Sequence, residues 1–522
     1  MIGLFGTDPY WQELLRQEGI SFTVGTTELE KLDVLIIDRI PSASELAQVR
    51  KFADSGGGIL TDSLCASAVW PQLRPRKQRS KYIVPDSSPL FRNVGIVDLN
   101  TDTWLLQQAN VGTTQNGISA ISVGRISRGW CVLLPFRLST VLAATGSKPR
   151  VFYARTRKQV YEIVATVGRG EVRRLISNAL RFLLAEVGLP YVHIHYCRPG
   201  QSGVFGFRVD TDFDSLKNMQ FTRKIADEVG MHFSWYINTK AHGQHLTHMR
   251  NSILQGHDVQ IHCYEHELFP DYENNLIQLK HADSILRKAG FRPIGAAAPY
   301  GEWNPEWNKA LSKLGFLYSS DFALVYDDLP TRPVIDGKPS SVLQIPVHPI
   351  CLGRLAASRA DSAEMIDYFK RYIELQTSRF EPCFLYGHPA NIARFPSVIE
   401  TVLKYGLLRC GSWSSLTDYA RWWQERGKAE FRVGKQSGKF VLETTRQKPE
   451  LEIMIEWQDR YRCLPFRSGS FDLDKLSWQP LPPRVAFNRR TVAARRHDRG
   501  LIGKEILRQL RKRIQIKGRH SK

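Results

Sequence analysis

At 522 residues, with 42% apolar and 24% charged side chains, the chain has an ordinary globular composition; it is longer than one hydrophobic core usually grows, so two to three domains are expected and a disordered or fibrous protein is excluded. The net charge of +21 is unevenly placed: fourteen Lys or Arg against two acids lie between Arg484 and Lys522, so the last 39 residues carry +12 and the body only +9. A broad nucleic-acid-binding surface is therefore not expected. The opening MIGLFGTDPYWQELLRQ has no basic leader, and no segment reaches the eighteen or so apolar residues that would span a bilayer, so a cytoplasmic protein is expected. The eight cysteines include no CxxC pair and read as reduced, mostly buried thiols.

The first 196 residues alternate strand-like and helix-like patterns. DVLIID is a buried-strand run, and PSASELAQVRKFADSGGG follows it as a helix with a capping box from Ser42 to Glu45 and a glycine stop. GILTD and WCVLLPF read as further core strands. GEVRRLISNALRFLLAEVG places Val172, Leu175, Ile176, Ala179, Leu180 and Leu183 on one helical face. The alternation predicts a three-layer α/β domain with a mostly parallel sheet. Through DVLIIDRIPSASELAQVRKFADSGGGILTDS this part resembles the class I glutamine-amidotransferase-like, flavodoxin-type domains. Those enzymes carry a cysteine on a glycine-flanked turn; the nearest thiol here, Cys65 in DSLCAS, lacks those glycines and reads as a small buried residue in a non-catalytic relative.

A polar joint, CRPGQSG, leads into a second unit over residues 204–425. GVFGFRVD reads as a strand, SLKNMQFTRKIADEVG as a helix, MHFSWYIN as a strand, and NNLIQLKHADSILRKAG as another helix, each unit ending at a glycine. Repeated βα units over this length predict a full or partial barrel. From 428 to 482, EFRVG, KFVLET, LEIMIEW and RYRCLPF are short alternating strands of a small antiparallel β domain. The basic tail, 483–522, includes LIGKEILRQLRKRIQI, an amphipathic pattern that suits either peripheral contact with an anionic membrane through residues 501–519 or packing on the protein itself.

Within the second unit, FRVDTDFDS puts Arg208, Asp210 and Asp212 on one face of a strand by the period of two, at the end where β/α barrels build their sites; Asp214 reads as the cap of the next helix. Two carboxylates on one face repel unless a cation or a shared proton relieves them. In GHDVQIHCYEHE a second strand ends at His262 and the chain reaches His266 four residues later. Imidazoles one helical turn apart can hold one ion together with a carboxylate from elsewhere, although HxxxH alone also occurs without metal.

GHDVQIHCYEH, AAPYG at 297–301 after GFRPIG, and FLYGHP with His388 together resemble the polysaccharide deacetylases that share the nodulation-deacetylase homology domain. The resemblance covers Val204 to about Gln424. It implies a deformed (β/α) barrel and metal-assisted hydrolysis of an acyl group, usually acetate, from an amino sugar. It also implies roles: a divalent metal, zinc in the first instance, on Asp212, His262 and His266; Asp210 as general base; the backbone N–H of Tyr300 at the oxyanion; His388 as general acid. Exchanged roles for Asp210 and Asp212 are the alternative.

Where the family's third motif has an arginine that pairs with the catalytic aspartate, this chain has Ala297, and Arg208 is the residue expected to supply that charge. The fourth motif is not evident. Asp321 in SSDFA and His348 in PVHPI are candidates to brace His388 or meet substrate, or else are a cap and a satisfied core residue. Trp303 in PYGEWN reads as a sugar-stacking platform or as core. The expected function is deacetylation of an N-acetylated sugar in surface polysaccharide biosynthesis, with nucleotide- and lipid-linked sugars among the candidate substrates; a catalytically impaired sugar- and metal-binding scaffold is the alternative.

Overall fold

The computed structural model describes residues 1–25, 28–436 and 439–495, with Leu501 and Gly503 of the tail. In the N-terminal half, strands Phe22–Val24, Ile2–Phe5, Val34–Ile37, Gly58–Asp62 and Gly129–Leu134 lie side by side in that order, all parallel. Their side chains alternate between two cores, as the pleat requires. Leu4, Ile36, Leu60 and Val132 pack under helices Pro9–Glu18 and Arg169–Glu186, whereas Phe5, Ile37, Ile59 and Leu133 pack under helices Ala43–Asp54 and Ser63–Val69. The three expected layers are present, and the Glu45 carboxylate accepts the Ser42 N–H at 2.7 Å as a capping box does. The expectation of a mostly parallel sheet needs correcting. Beyond Gly129–Leu134 it continues through four antiparallel strands, Ser119–Ile126, Val111–Thr114, Arg76–Val84 and Val97–Leu105. Cys65 is buried with its Sγ 3.3 Å from an Asp62 carboxylate oxygen; burial and that charge push the thiol up to about 12, which makes it inert as a nucleophile.

The second unit is a curled, all-parallel sheet of seven strands: β1 (Phe205–Asp210), β2 (Ser234–Asn238), β3 (Asp258–Cys263), β4 (Gly295–Ala296), β5 (Tyr318–Ser319), β6 (Leu343–Gln344) and β7 (Cys383–Gly387). Their spatial order is β6-β5-β4-β3-β2-β1-β7, so the sheet is a half barrel with β6 and β7 at its edges. β1, the strand that carries Arg208 and Asp210, lies at its interior between β2 and β7. Phe205, Phe207 and Val209 face helices Leu216–Val229 and Pro396–Cys410, and the intervening Arg208 and Asp210 face the concave side.

The antiparallel strands expected after residue 428 are present, in two sheets. Phe431–Gln436, Lys439–Thr444 and Gly469–Phe471 form one. The other pairs Lys448–Trp457 with Arg460–Phe466 on one side and, on the other, with Tyr191–Ile194 from the end of the N-terminal half. The halves are also joined by ions: Arg173 holds Glu18, Asp328 and Glu381, with Glu381 just ahead of β7. A hairpin of Ser147–Phe152 and Val160–Ala165 reaches from the N-terminal half to the half barrel. Leu501, the first residue of the expected amphipathic stretch, is buried with Val151 and Ala494 of that region; most of 501–519 lies outside the described residues. Among the described residues no helix is long and apolar enough to cross a membrane.

Candidate active site

Chain ends of β1, β3 and β7 meet at the carboxyl edge of the half barrel. β1 stops at Asp210, so Asp212 is not on the strand as the period-two reading held. A turn delivers it instead, with Asp212 itself in the left-handed region at φ 41°. Asp214 is not the cap of the next helix either: Ser215 caps it, accepting from the Asn218 N–H at 3.3 Å, while Asp214 accepts the Ala390 N–H at 2.8 Å and ties the turn to the segment after His388. His262 lies in β3, but His266 follows in a bend rather than one turn along a helix.

Despite this, the three groups converge. Nε2 of His262 and Nε2 of His266 lie 3.0 and 3.1 Å from the same oxygen, Oδ1 of Asp212. Nδ1 of His262 is 2.9 Å from the Ala297 carbonyl, an acceptor, so Nδ1 carries the ring proton. With both Nε2 atoms directed at one carboxylate oxygen, the arrangement is one that a shared cation would suit. The ligand atoms all lie within 4.8 Å of one another. Two imidazoles and one carboxylate, one imidazole oriented by a carbonyl behind it, suit a divalent transition metal with open positions.

Asp210 does not join this cluster. Both its oxygens are held at 2.6 Å by Nε and Nη2 of Arg208, a fully buried guanidinium that lies between the rings of Tyr236 and Tyr386 and also donates to the Ser320 carbonyl. Burial raises the Asp210 pKa, but Arg208 and, next, His262 outweigh it, so it lies below the usual carboxylate range. Burial likewise raises Asp212, and the imidazoles facing it hold it well below that range. His388 follows β7, with Nε2 3.5 Å from Asp212 Oδ2. Burial lowers its pKa, but a hydrogen bond and charge from Cys351, with Asp212 and Asp210 behind, raise it to about 9.

Tyr300 adopts φ 59° and is 44% exposed, its ring centroid 4.9 Å from that of His266 in an edge-to-face contact. The next residue, Gly301, is also left-handed, and a Cβ there would meet the Phe322 ring at 2.3 Å, which explains the glycine of PYG. An open cavity of about 310 Å³ joins Asp210, Asp212, His262, His266, Tyr300 and His388.

Three other sequence candidates lie elsewhere. Trp303 is buried in the half-barrel core and is not a platform. Asp321 is buried and braces the PYG loop, with one oxygen 2.7 Å from the Ala298 N–H and the other accepting from Trp307 and Ser319; it does not touch His388. His348 is buried against Tyr372, hydrogen-bonded to the Tyr368 hydroxyl at 2.9 Å, and lines a different cavity. Several residues in or beside the cleft escape the sequence reading. Phe213 is 71% exposed with its ring 5.3 Å from His266, and an apolar residue in the polar turn DTDFDS is a signal that could have found it. Cys351, Arg354 and Glu162 carry no such signal, because they reach the cleft only through tertiary folding.

Residues 213–319 match the family profile of polysaccharide deacetylases, a span that holds His262, His266 and the PYG loop. This segment is a polysaccharide deacetylase domain, of a family of hydrolases acting on carbon–nitrogen bonds. Several solved structures are similar to part of the chain. A Mycobacterium smegmatis protein assigned as a polysaccharide deacetylase is 17% identical, covers 46% of this chain and 96% of its own, and has a TM-score of 0.38. An allantoinase is 19% identical over 44% of this chain and 93% of its own, also with a TM-score of 0.38. A CE4 family pseudoenzyme from Bacillus anthracis is 10% identical over 43% and 68%, with a TM-score of 0.31. No curated protein shows significant similarity to the chain.

Proposed function

We propose that this protein is a metal-dependent deacetylase that hydrolyses the N-acetyl group of an amino sugar belonging to, or destined for, a polysaccharide. The carrying observation is the convergence of Asp212, His262 and His266 on one point beside an Asp210 that Arg208 keeps ionised. In this reading Asp212, His262 and His266 hold the metal, zinc by preference for such donors, which when bound supplies Lewis-acid activation of the acyl carbonyl and of the attacking water. Asp210 accepts the proton of that water. Held by a cation on one edge, it is a weak base that stays ionised at neutral pH, the state a proton acceptor needs. The Tyr300 N–H, set by the left-handed turn and the Asp321 brace behind it, faces the developing oxyanion. His388, protonated at neutral pH, delivers a proton to the leaving amine.

The N-terminal three-layer unit, with its buried Cys65, serves as a non-catalytic, glutamine-amidotransferase-like scaffold to which the half barrel is bolted by Arg173 and its partners. Acetate release from a panel of free, nucleotide-linked, lipid-linked and polymeric N-acetyl sugars, read beside the metal content of the purified chain, tests the reading. Release that Asp210→Asn abolishes while metal stays bound supports it; metal without release from any substrate overturns it in favour of a binding protein.

A further inference from the structure

The cleft has a wall that the chemistry above does not use. Glu162, on the hairpin strand Val160–Ala165 of the N-terminal half, grips Arg354 of helix Leu352–Ala357 with both oxygens, at 2.5 Å to Nε and 2.7 Å to Nη2. The pair is lopsided: the Glu162 side chain is 4% exposed and the Arg354 side chain 38%. Arg173 and its partners Glu18 and Glu381, which join the same two halves, bury both members of each pair. An ion pair that served only as cement would do likewise. Here the acid stands behind and the guanidinium stands in front, lining the cleft that holds Asp212 and His388. Its Nη1 makes no hydrogen bond among the described residues.

The remaining charges of the cleft point to what Nη1 meets. Asp210 is neutralised by Arg208, and Asp212 is engaged by the two imidazoles. Glu162 is spent on Arg354. Arg354 therefore offers the cleft an oriented pair of N–H donors on a cation whose immobilisation has already been met by the bidentate grip, the arrangement that recognises carboxylate or phosphate oxygens.

We infer that Arg354 is a specificity residue that binds an anionic group carried by the substrate beside its acyl amide, and that Glu162, supplied by the N-terminal half, is the positioning residue that aims it. This rests on the deacetylase reading for the word substrate but not for the anion site itself. The anion is a phosphate, as in a nucleotide- or lipid-linked sugar, or a sugar carboxylate.

Calorimetric titration of the full chain with N-acetylglucosamine, N-acetylglucosamine 6-phosphate and N-acetylglucosaminuronate, with and without chelator, tests this without turnover. Tighter binding of one or both anionic sugars by about tenfold or more is expected, and which of them gains identifies the source of the charge. Arg354→Gln is expected to erase the gain while leaving neutral-sugar binding within about twofold, and Arg354→Lys to restore part of it. Glu162→Gln is expected to raise KM for the anionic substrate with little change in kcat. Equal binding of all three sugars, a gain that chelator removes and Arg354→Gln does not, or equal loss for neutral and anionic sugars in Arg354→Gln would overturn the inference. Anion binding through Arg354 without acetate release from any substrate would leave it standing and refute the deacetylase reading instead.

Discussion

Replacing Arg208 is the sharpest probe of the site, because this one side chain holds both oxygens of Asp210. Arg208→Met keeps an unbranched apolar stem between Tyr236 and Tyr386 and removes the cation that holds both oxygens of Asp210. Breaking a buried pair by deleting one partner costs about 3–5 kcal/mol, because the other charge is left uncompensated. The sign with pH follows from Asp210. In the wild type its folded pKa lies below the ordinary 3.8, so it contributes stability that is present above that pH and lost on further acidification. Without Arg208 the burial that already opposes ionisation dominates, and the folded pKa rises above the unfolded one. The variant is then closest to the wild type near pH 4 and falls behind as pH rises. A tenfold change in the acidity of Asp210 corresponds to about 1.36 kcal/mol, so the acid limb of kcat/KM moves upward by about one or more on the pH scale even if half of the pair energy is lost to relaxation. Thermal melts from pH 4 to 8, with pH profiles of acetate release, measure both. A stability gap independent of pH, together with an unmoved acid limb, would refute the assignment of Arg208 as counter-charge.

Other changes separate the remaining roles. Asp212→Asn, or His262→Ala, is expected to remove at least 10–100-fold in metal affinity while the melting transition of the chelated protein stays nearly unchanged, as read by metal analysis and calorimetry. His388→Gln should lower kcat about 10²–10⁴-fold with metal content and KM retained; equal loss in kcat/KM and metal content would make it a structural residue instead. Burial raises Glu381 and Glu456, but Arg174 and Arg181 respectively outweigh this and set both carboxyls to about 2, against 4.5 for an ordinary glutamate. Their contribution to the junction is therefore full above about pH 4.5 and is lost as pH falls toward 2, so melts in that window should drop, and drop less in Glu381→Gln.

Much of this was legible in the sequence because it is local. Buried runs such as DVLIID and the period of two in FRVD identify strands, and GHDVQIH locates a strand whose end lies one residue beyond His262, at Cys263. Local pattern cannot say which element a residue will face. Asp212 looked like the next strand residue, but the turn with positive φ lifts it off the strand and so lets it meet His262 and His266. Trp303 beside a motif looked like a sugar platform; its environment is set by packing with the half-barrel core. The pairing of Tyr191–Ile194 with Lys448–Trp457 joins segments more than 250 residues apart in sequence, and the hairpin that brings Glu162 to Arg354 spans almost 200. No window of sequence contains either.

That Arg208 on β1 supplies the charge which the family resemblance places at position 297 is a proposal that can be tested by putting an arginine there. In the present arrangement the backbone of the PYG loop orients and is oriented: the Ala297 carbonyl holds His262, and the Ala298 N–H is held by Asp321. Ala297 is fully buried in the same aromatic cluster, with Tyr236 and Tyr386, that receives the Arg208 guanidinium. Ala297→Arg in the wild type therefore inserts a long side chain into a filled space, at about 1–3 kcal/mol for overpacking, and brings a second cation toward the first. In an Arg208→Ala background both objections weaken, since the space and the charge have been vacated. The double variant is expected to be more stable than the sum of the single changes by more than about 1 kcal/mol, a coupling of the kind found between residues in contact, and to return the acid limb toward its wild-type position. Additive losses, with the acid limb left where Arg208→Ala alone puts it, would show that Asp210 depends on the rigid strand position of the guanidinium and that a cation from the loop is no substitute.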